Sequence, residues 1–280
     1  MSQTTTMSEG ETAWRGAVMN GRVIVALIFR EAALRFGAGP IGYVWTMVEP
    51  TLLVGLMLLM RVYIKNYAPA FGESSTLFLL TGLISFRITR NTINKAGKAI
   101  GSNQALFGFG AIKPPDVVIA RTVVEFTIWM LVLTFFFVLC GRLLQIEMIS
   151  NFQDFVMALA AMFYFCLAMS MFNATFGALV PLWRTIWKIM TLPLLFASGV
   201  LYVPSSMPPE VLNIIWWNPF LHCIEALRSS SYLDYLSLYS PTYLMSFTTA
   251  ILLLSLAVER LFRKEIIRSR NDDDDDEDVL

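Results

Sequence analysis

The stretch VVIARTVVEFTIWMLVLTFFFVLC, Val117 to Cys140, carries only two charges in 24 residues, Arg121 and Glu125. The hydrocarbon core of a bilayer takes about 20 apolar residues of helix, so this stretch reads as a membrane span. Its two charges stand four residues apart near the start of the run. At that spacing opposite charges on a helix pair, and Arg121 is expected to meet Glu125.

Working outward, five further apolar runs of spanning length lie near 41–63, 75–92, 154–180, 185–203 and 242–261. The run at 154–180 is long enough to tilt. The whole chain of 280 residues is 56% hydrophobic and 15% charged, with a mean hydropathy of +0.61. These values exclude an ordinary soluble domain and fit an all-α integral membrane protein with six transmembrane helices.

Charge sets the orientation. The formal net charge of zero conceals an acidic tail, Asp272 to Asp278, which holds seven of the 21 acids and leaves 21 minus 14, or +7, on everything else. An even number of spans puts both termini on one side. Grouping the termini with the second-to-third and fourth-to-fifth connections collects seventeen Lys and Arg, against Arg61, Lys65, Arg142 and Arg228 on the other side. By the positive-inside rule both termini are cytosolic. The organisation expected is a disordered N-terminus over 1–12 with no cleavable signal, an interface helix over 13–38, a membrane domain over 39–265 and a cytosolic acidic tail over 266–280. The 13–38 segment carries Arg15, Arg22 and Arg30 opposite Ala17, Ile24, Leu27 and Ile28. That amphipathic pattern suits a helix lying in the cytosolic interface or packed on its own protein.

Between the fifth and sixth spans, VPSSMPPEVLNIIWWNPFLHCIEALRSSSYLDYLSLYSP is broken at Pro208, Pro209 and Asn218-Pro219. Two short helices, re-entrant or interfacial, are expected there. Trp216, Trp217, Asn218, Pro219, His222, Glu225 and Arg228 are its candidate exit residues, the alternative being an amphipathic cap over the outer face.

Little in the chain suggests chemistry. The nearest approach to a phosphate-binding loop, AGKA at Ala96 to Ala99, lacks the preceding Gly and the following Ser or Thr, so ATP is not hydrolysed here. No catalytic constellation is legible, and one His with three scattered cysteines gives neither a metal site nor a disulfide framework. No nucleic-acid partner is expected.

Intramembrane charges are costly and tend to have a role. FRITRNTINKAGK, Phe86 to Lys98, places Arg87, Arg90, Asn94 and Lys98 at three- and four-residue steps on one helical face, with Lys95 beside them. Such a ladder suits phosphate or carboxylate groups of a polyanion or a lipid headgroup. The rival role is helix docking through Glu49 and Glu125. Tyr43, Trp45, Trp183 and Trp187 gather near cytosolic span ends, as an interfacial belt or as surfaces for sugar stacking.

Three stretches, in order, resemble a known family. LRFGAGPIGYVWTMVEP (Leu34 to Pro50) carries Gly42, Trp45 and Pro50. NQALFGFGAIKPPDVVIAR (Asn103 to Arg121) carries Asn103, Leu106, Phe107, Lys113, Pro114 and Asp116. WWNPFLHCIEALRSS (Trp216 to Ser230) carries Trp217, Asn218, Pro219, His222, Glu225 and Arg228. Over about 30–270 the chain is similar to the permeases of ABC-2 type polysaccharide exporters, nearest those of Gram-negative group 2 capsules. The resemblance implies a transport subunit of the bacterial inner membrane, paired with a second copy and with two ATPase chains that bind ATP and Mg. The cargo would be a lipid-linked, acidic capsular polysaccharide moved from cytosol to periplasm and handed to periplasmic export partners. The resemblance departs in the second span, where the family is more apolar around Arg87 and Arg90, so the substrate-path candidates Tyr43, Trp45, Arg87, Arg90, Asn94, Lys95 and Lys98 rest on the residues themselves. ATPase coupling would fall to Arg30, Arg35, Asn103, Leu106, Phe107, Lys113 and Asp116, with Leu106 and Phe107 as an apolar knob for the ATPase. The competing readings are export of O-antigen or teichoic acid, an autonomous channel, and a membrane-embedded transferase.

Overall fold

The computed structural model describes residues 9–36, 75–145 and 147–268, with single helical positions at 48, 52, 55 and 56. The first expected span, with Tyr43, Trp45 and Glu49, therefore lies outside the described residues, as does the acidic tail. Within them the fold is helical without strands: α1 Glu9–Phe36, α2 Ser75–Ala96, α3 Ala99–Ser102, α4 Pro114–Leu144, α5 Phe152–Leu179, α6 Trp183–Phe196, α7 Pro209–Ile215, α8 Pro219–Ser231, α9 Pro241–Leu261 and α10 Arg263–Arg268. A 3-10 segment, Gln104–Phe109, joins α3 to the turn before α4.

Local chemistry sets the helix starts. Pro114 and Pro115 open α4 where no intrahelical N–H bond is needed, and the Asp116 carboxylate accepts from the Lys113 backbone N–H at 2.9 Å. The Asn151 side chain accepts from the N–H groups of Gln153 and Asp154 at the start of α5. Asn218 does the same for Phe220 ahead of Pro219, and Ser240 for Tyr243 ahead of Pro241. Each polar cap satisfies an N–H that the helix itself leaves open.

By length and composition α4, α5 and α9 can cross a bilayer, and they match three of the expected runs to within a few residues. α2 starts at the expected Ser75 but runs on to Ala96. The fifth run departs from expectation. It is helical only over the 14 residues of α6, about 21 Å at 1.5 Å per residue and short of a core about 30 Å thick. Pro193 lies within it, and the chain turns away through Gly199 at φ 71°. At the other end of the chain, α1 begins at Glu9, inside the segment expected to be disordered.

α2 is largely enclosed, packed against α4, α5 and α8. That burial explains how it carries hydroxyls among apolar side chains. Thr81, Ser85 and Thr89 donate back to carbonyls of the preceding turn at 2.6–3.1 Å, whereas the buried Thr92 hydroxyl, next along that stripe, has no hydrogen-bond partner. Phe86, Phe165 and Phe220 meet at ring separations of 5.4 and 5.7 Å where α2, α5 and α8 converge. A second apolar cluster joins Leu27 of α1, Ala99 and Ile100 of α3, Phe107, Val117 of α4, Met171 of α5 and Ile266 of α10. The amphipathic α1, the α2–α4 connection and α10 thus share one end of the bundle.

Candidate functional site

At that end α1, α2 and α4 enclose a cavity of about 320 Å³ lined by Arg35, Lys95, Lys98, Arg121, Glu31 and Glu125. Glu31 organises it. Its carboxylate, 6% exposed, receives Arg121 Nε at 2.9 Å and Arg121 Nη2 at 3.2 Å. It also accepts from Asn103 Nδ2 at 3.1 Å. Asn103 in turn accepts from Arg30 Nη1 at 2.7 Å, and Arg121 Nη1 donates to Ser102 Oγ at 2.6 Å. One buried carboxylate therefore ties α1 to the connection and to α4.

The pairing expected from the four-residue spacing is replaced. Arg121 goes to Glu31, while Glu125 takes Arg35 at 3.3 Å and Lys95 at 3.2 Å. The cause is tertiary: α1 lies along α4, and its Glu31 arrives beside Arg121. Arg35 and Lys95 are about a third exposed, so each of their pairs contributes little, roughly 0–1 kcal/mol. The bidentate Arg121–Glu31 contact is better protected and geometrically specific. Sequence spacing missed Glu31, although it is the only acid between Glu11 and Glu49.

The α2 ladder is divided among different tasks. Arg87 and Arg90 are half-buried, and Arg90 Nε is buried without a hydrogen-bond partner. Among the described residues Arg90 has no carboxylate partner. Asn94 accepts from Trp187 Nε1 of α6 at 2.6 Å, and Lys95 is held by Glu125. Lys98 lies beyond the last turn of α2, exposed at the cavity rim, so the helical face ends before it. The ion-pair alternative through Glu49 falls outside the described residues, and Glu125 engages Lys95.

The connection also corrects an expectation. Phe107 is 7% exposed and sits inside the second apolar cluster with Leu106 packed against it, so neither forms a free knob. Leu27 and Ile266 belong to the same cluster, where burial of a phenyl ring is favoured over solvent. The exposed residues are instead Ala105, Gly108, Gly110, Ala111 and Lys113. Gly110, at φ 65°, makes the left-handed turn that ends the 3-10 segment. Asn103 and Asp116 are buried and serve as a network member and a helix cap.

The segment between the fifth and sixth expected runs forms two short helices, as expected, broken at Asn218-Pro219. Yet α8 is buried along nearly its whole length. Glu225 and Arg228 are both 0% exposed, 3.3 Å apart. Glu225 accepts from the Tyr235 hydroxyl at 2.7 Å and from the Leu238 N–H at 3.1 Å. Arg228 donates to the carbonyls of Gly199 at 2.9 Å and Val200 at 3.3 Å, and lies 3.8 Å over the Phe78 ring. Gly82 of α2 leaves the room it needs, since a Cβ there would come within 2.5 Å of Arg228 Nη2. His222 accepts from the Ser240 N–H at 3.2 Å through Nδ1, so Nε2 carries the proton toward the Trp216 carbonyl at 2.8 Å. These three polar side chains act as an internal lock joining α2, α8 and the start of α9. At its edge Trp216, the 66% exposed Trp217 and Tyr243 form an aromatic group, with the Tyr243 hydroxyl donating to the Trp217 carbonyl at 2.6 Å.

Known proteins are similar to the chain over most of its length. The chain is 29% identical over 247 residues to the polysialic acid transport protein KpsM of Escherichia coli, covering 88% of this chain and 95% of that protein. It is 26% identical over 258 residues to the capsule polysaccharide export inner-membrane protein CtrC of Neisseria meningitidis, covering 90% and 96%. It is 26% identical over 250 residues to the capsule polysaccharide export inner-membrane protein BexB of Haemophilus influenzae, covering 89% and 94%. The model of the ABC-2 type transporter family matches residues 22–232, which takes in the later part of α1, α2, the connection and α8. The chain belongs to the ABC-2 type transporter family.

Proposed function

We propose that this chain is the permease subunit of an ATP-driven exporter that moves lipid-linked, acidic capsular polysaccharide from the cytosol across the bacterial inner membrane. The observation that carries this reading is the near full-length match to three capsule-transport proteins. Two copies of the chain would enclose the path, two ATPase chains would supply ATP and Mg, and both termini would be cytosolic. Six spans and a handover to periplasmic export partners complete the reading.

The geometry supports a division of labour. The exposed edge of the connection, from Ala105 to Lys113, offers the ATPase a contact, while the inward-facing Phe107 anchors it. Force applied there reaches α1 and α4 through Glu31, Asn103 and Arg121, whose interactions are short and specific. Rigid elements joined by such contacts move together. Arg90 is the residue of the ladder left for substrate, because an incompletely satisfied buried guanidinium favours an incoming phosphate or carboxylate.

Substrate-stimulated ATP hydrolysis by the permease–ATPase complex tests this. Arg90→Ala is expected to lower the stimulation while leaving basal hydrolysis and co-purification intact. If glycolipid stimulates the variant as it does the wild type, Arg90 has no place on the path. If the permease retains no ATPase through purification, the exporter reading itself fails.

A further inference from the structure

A second, smaller cavity of about 100 Å³ lies where α6 meets the end of α2 and α5. Its charged lining is Lys98, Arg184 and Lys188, with no carboxylate. That sets it apart from the larger cavity, where Glu31 and Glu125 offset the cations.

Its walls leave one donor open. Trp183 Nε1 donates to Asn173 Oδ1 at 2.8 Å, and Trp187 Nε1 to Asn94 Oδ1 at 2.6 Å. Those bonds fix both indoles and occupy both amide oxygens. Asn173 is only 5% exposed, and its Nδ2 is buried with no hydrogen-bond partner. A buried N–H left open is costly, so an acceptor at this point would be stabilising.

Arg184 is held by small neighbours. A Cβ at Gly101 would lie 2.9 Å from Arg184 Nη2, and one at Gly177 would lie 3.6 Å from its Cγ and Nε. The guanidinium thus crosses the connection where a larger residue would displace it. The space holds several waters, enough for one oxyanion group and too little for a chain of sugars.

We propose that this cavity is an anion subsite, in which Arg184, Lys98 and Lys188 bind a phosphate or carboxylate group and Asn173 Nδ2 donates to one of its oxygens. The subsite lies apart from Arg87 and Arg90 and does not depend on what the chain transports. The same chemistry is offered by a membrane phospholipid headgroup and by a soluble acidic sugar or phosphate.

The test uses the full chain, with its ATPase bound where the two co-purify, in phosphatidylcholine nanodiscs and without ATP. Three probes are titrated: inorganic phosphate, glucuronate, and phosphatidylglycerol doped into the nanodisc, read by apparent melting temperature and tryptophan fluorescence. A response to the lipid alone identifies a headgroup site, and a response to the soluble anions a site open to the cytosol; both support the proposal. Arg184→Gln and Lys188→Gln should each weaken the binding about tenfold or more. Both side chains are exposed, so the variants are expected to fold. Arg142→Gln, which removes the same charge near the far end of α4, should leave binding unchanged. The proposal is overturned if no probe affects the wild type, if the α6 variants bind as it does, or if Arg142→Gln weakens binding equally. Because transport is not measured, failure of the exporter reading would leave a positive result standing.

Discussion

Arg228→Ala separates a structural lock from a transport path. The wild-type side chain is 0% exposed and on truncation gives up Glu225 Oε1 at 3.3 Å, the carbonyls of Gly199 at 2.9 Å, Val200 at 3.3 Å and Phe78 at 3.5 Å, and the Phe78 ring at 3.8 Å. Glu225 would keep its bonds from Tyr235 and Leu238 but lose its counter-charge. Removing one member of a buried ion pair costs about 3–5 kcal/mol, because the other charge stays desolvated. For a chain of this size that corresponds to a loss on the order of 10 °C in apparent melting temperature. Arg228→Lys should fall between, since an ammonium cannot reproduce the fork that reaches both carbonyls. Glu225→Gln combined with Arg228→Met should recover part of the loss by leaving no orphaned charge. The assay is the monodisperse fraction of detergent-purified protein after heating, followed by size-exclusion chromatography. If Arg228→Ala melts within about 2 °C of the wild type while export collapses, the lock is wrong and Arg228 belongs to the path.

Glu31→Gln should weaken the hold of α1 on the connection and uncouple ATP hydrolysis from export more than it lowers thermal stability; equal hydrolysis and export would contradict the clamp. Phe107→Ala should destabilise the chain itself by about 3–5 kcal/mol, as truncation of a buried phenyl does. Gly108→Asp, on the exposed edge, should instead leave folding intact and reduce ATPase co-purification, so similar melting of the two variants would refute the inward anchor. Removing Asp272 to Asp278 should leave both ATPase binding and export close to wild type, and a lost complex would make the tail a contact element.

Much of the architecture was legible in the sequence because apolar run length is a direct consequence of bilayer thickness, and α4, α5 and α9 follow it closely. The breaks at Pro208-Pro209 and Asn218-Pro219 were equally readable, since proline restricts where a helix can begin. α6 was harder. Hydropathy continues through Leu201 while the backbone stops at Phe196, because a turn through Gly199 brings the carbonyls of Gly199 and Val200 to Arg228.

Site residues were legible by type but not by partner. Arg121 and Glu125 have the spacing of a helical pair, yet the approach of α1 redirects both. Phe107 looks like a docking knob in a polar connection, and only the arrival of Leu27 and Ile266 turns it inward. Arg228, counted with the outer-face loop charges by the sequence, is fully buried instead. Asn173 gave one unused signal, as an amide in the apolar run FCLAMSMFNATFGAL.

The central claim is ATP-driven polysaccharide export through this chain, and reconstitution tests it most directly. The permease and its ATPase are placed in vesicles with lipid-linked acidic polysaccharide on the ATPase side, and the glycan protected from an added glycan lyase is measured over time. The account predicts protection that needs ATP, both chains and intact Arg90, and that is absent with the permease alone. Protection without ATP or without the ATPase, or none in the complete system, would contradict it.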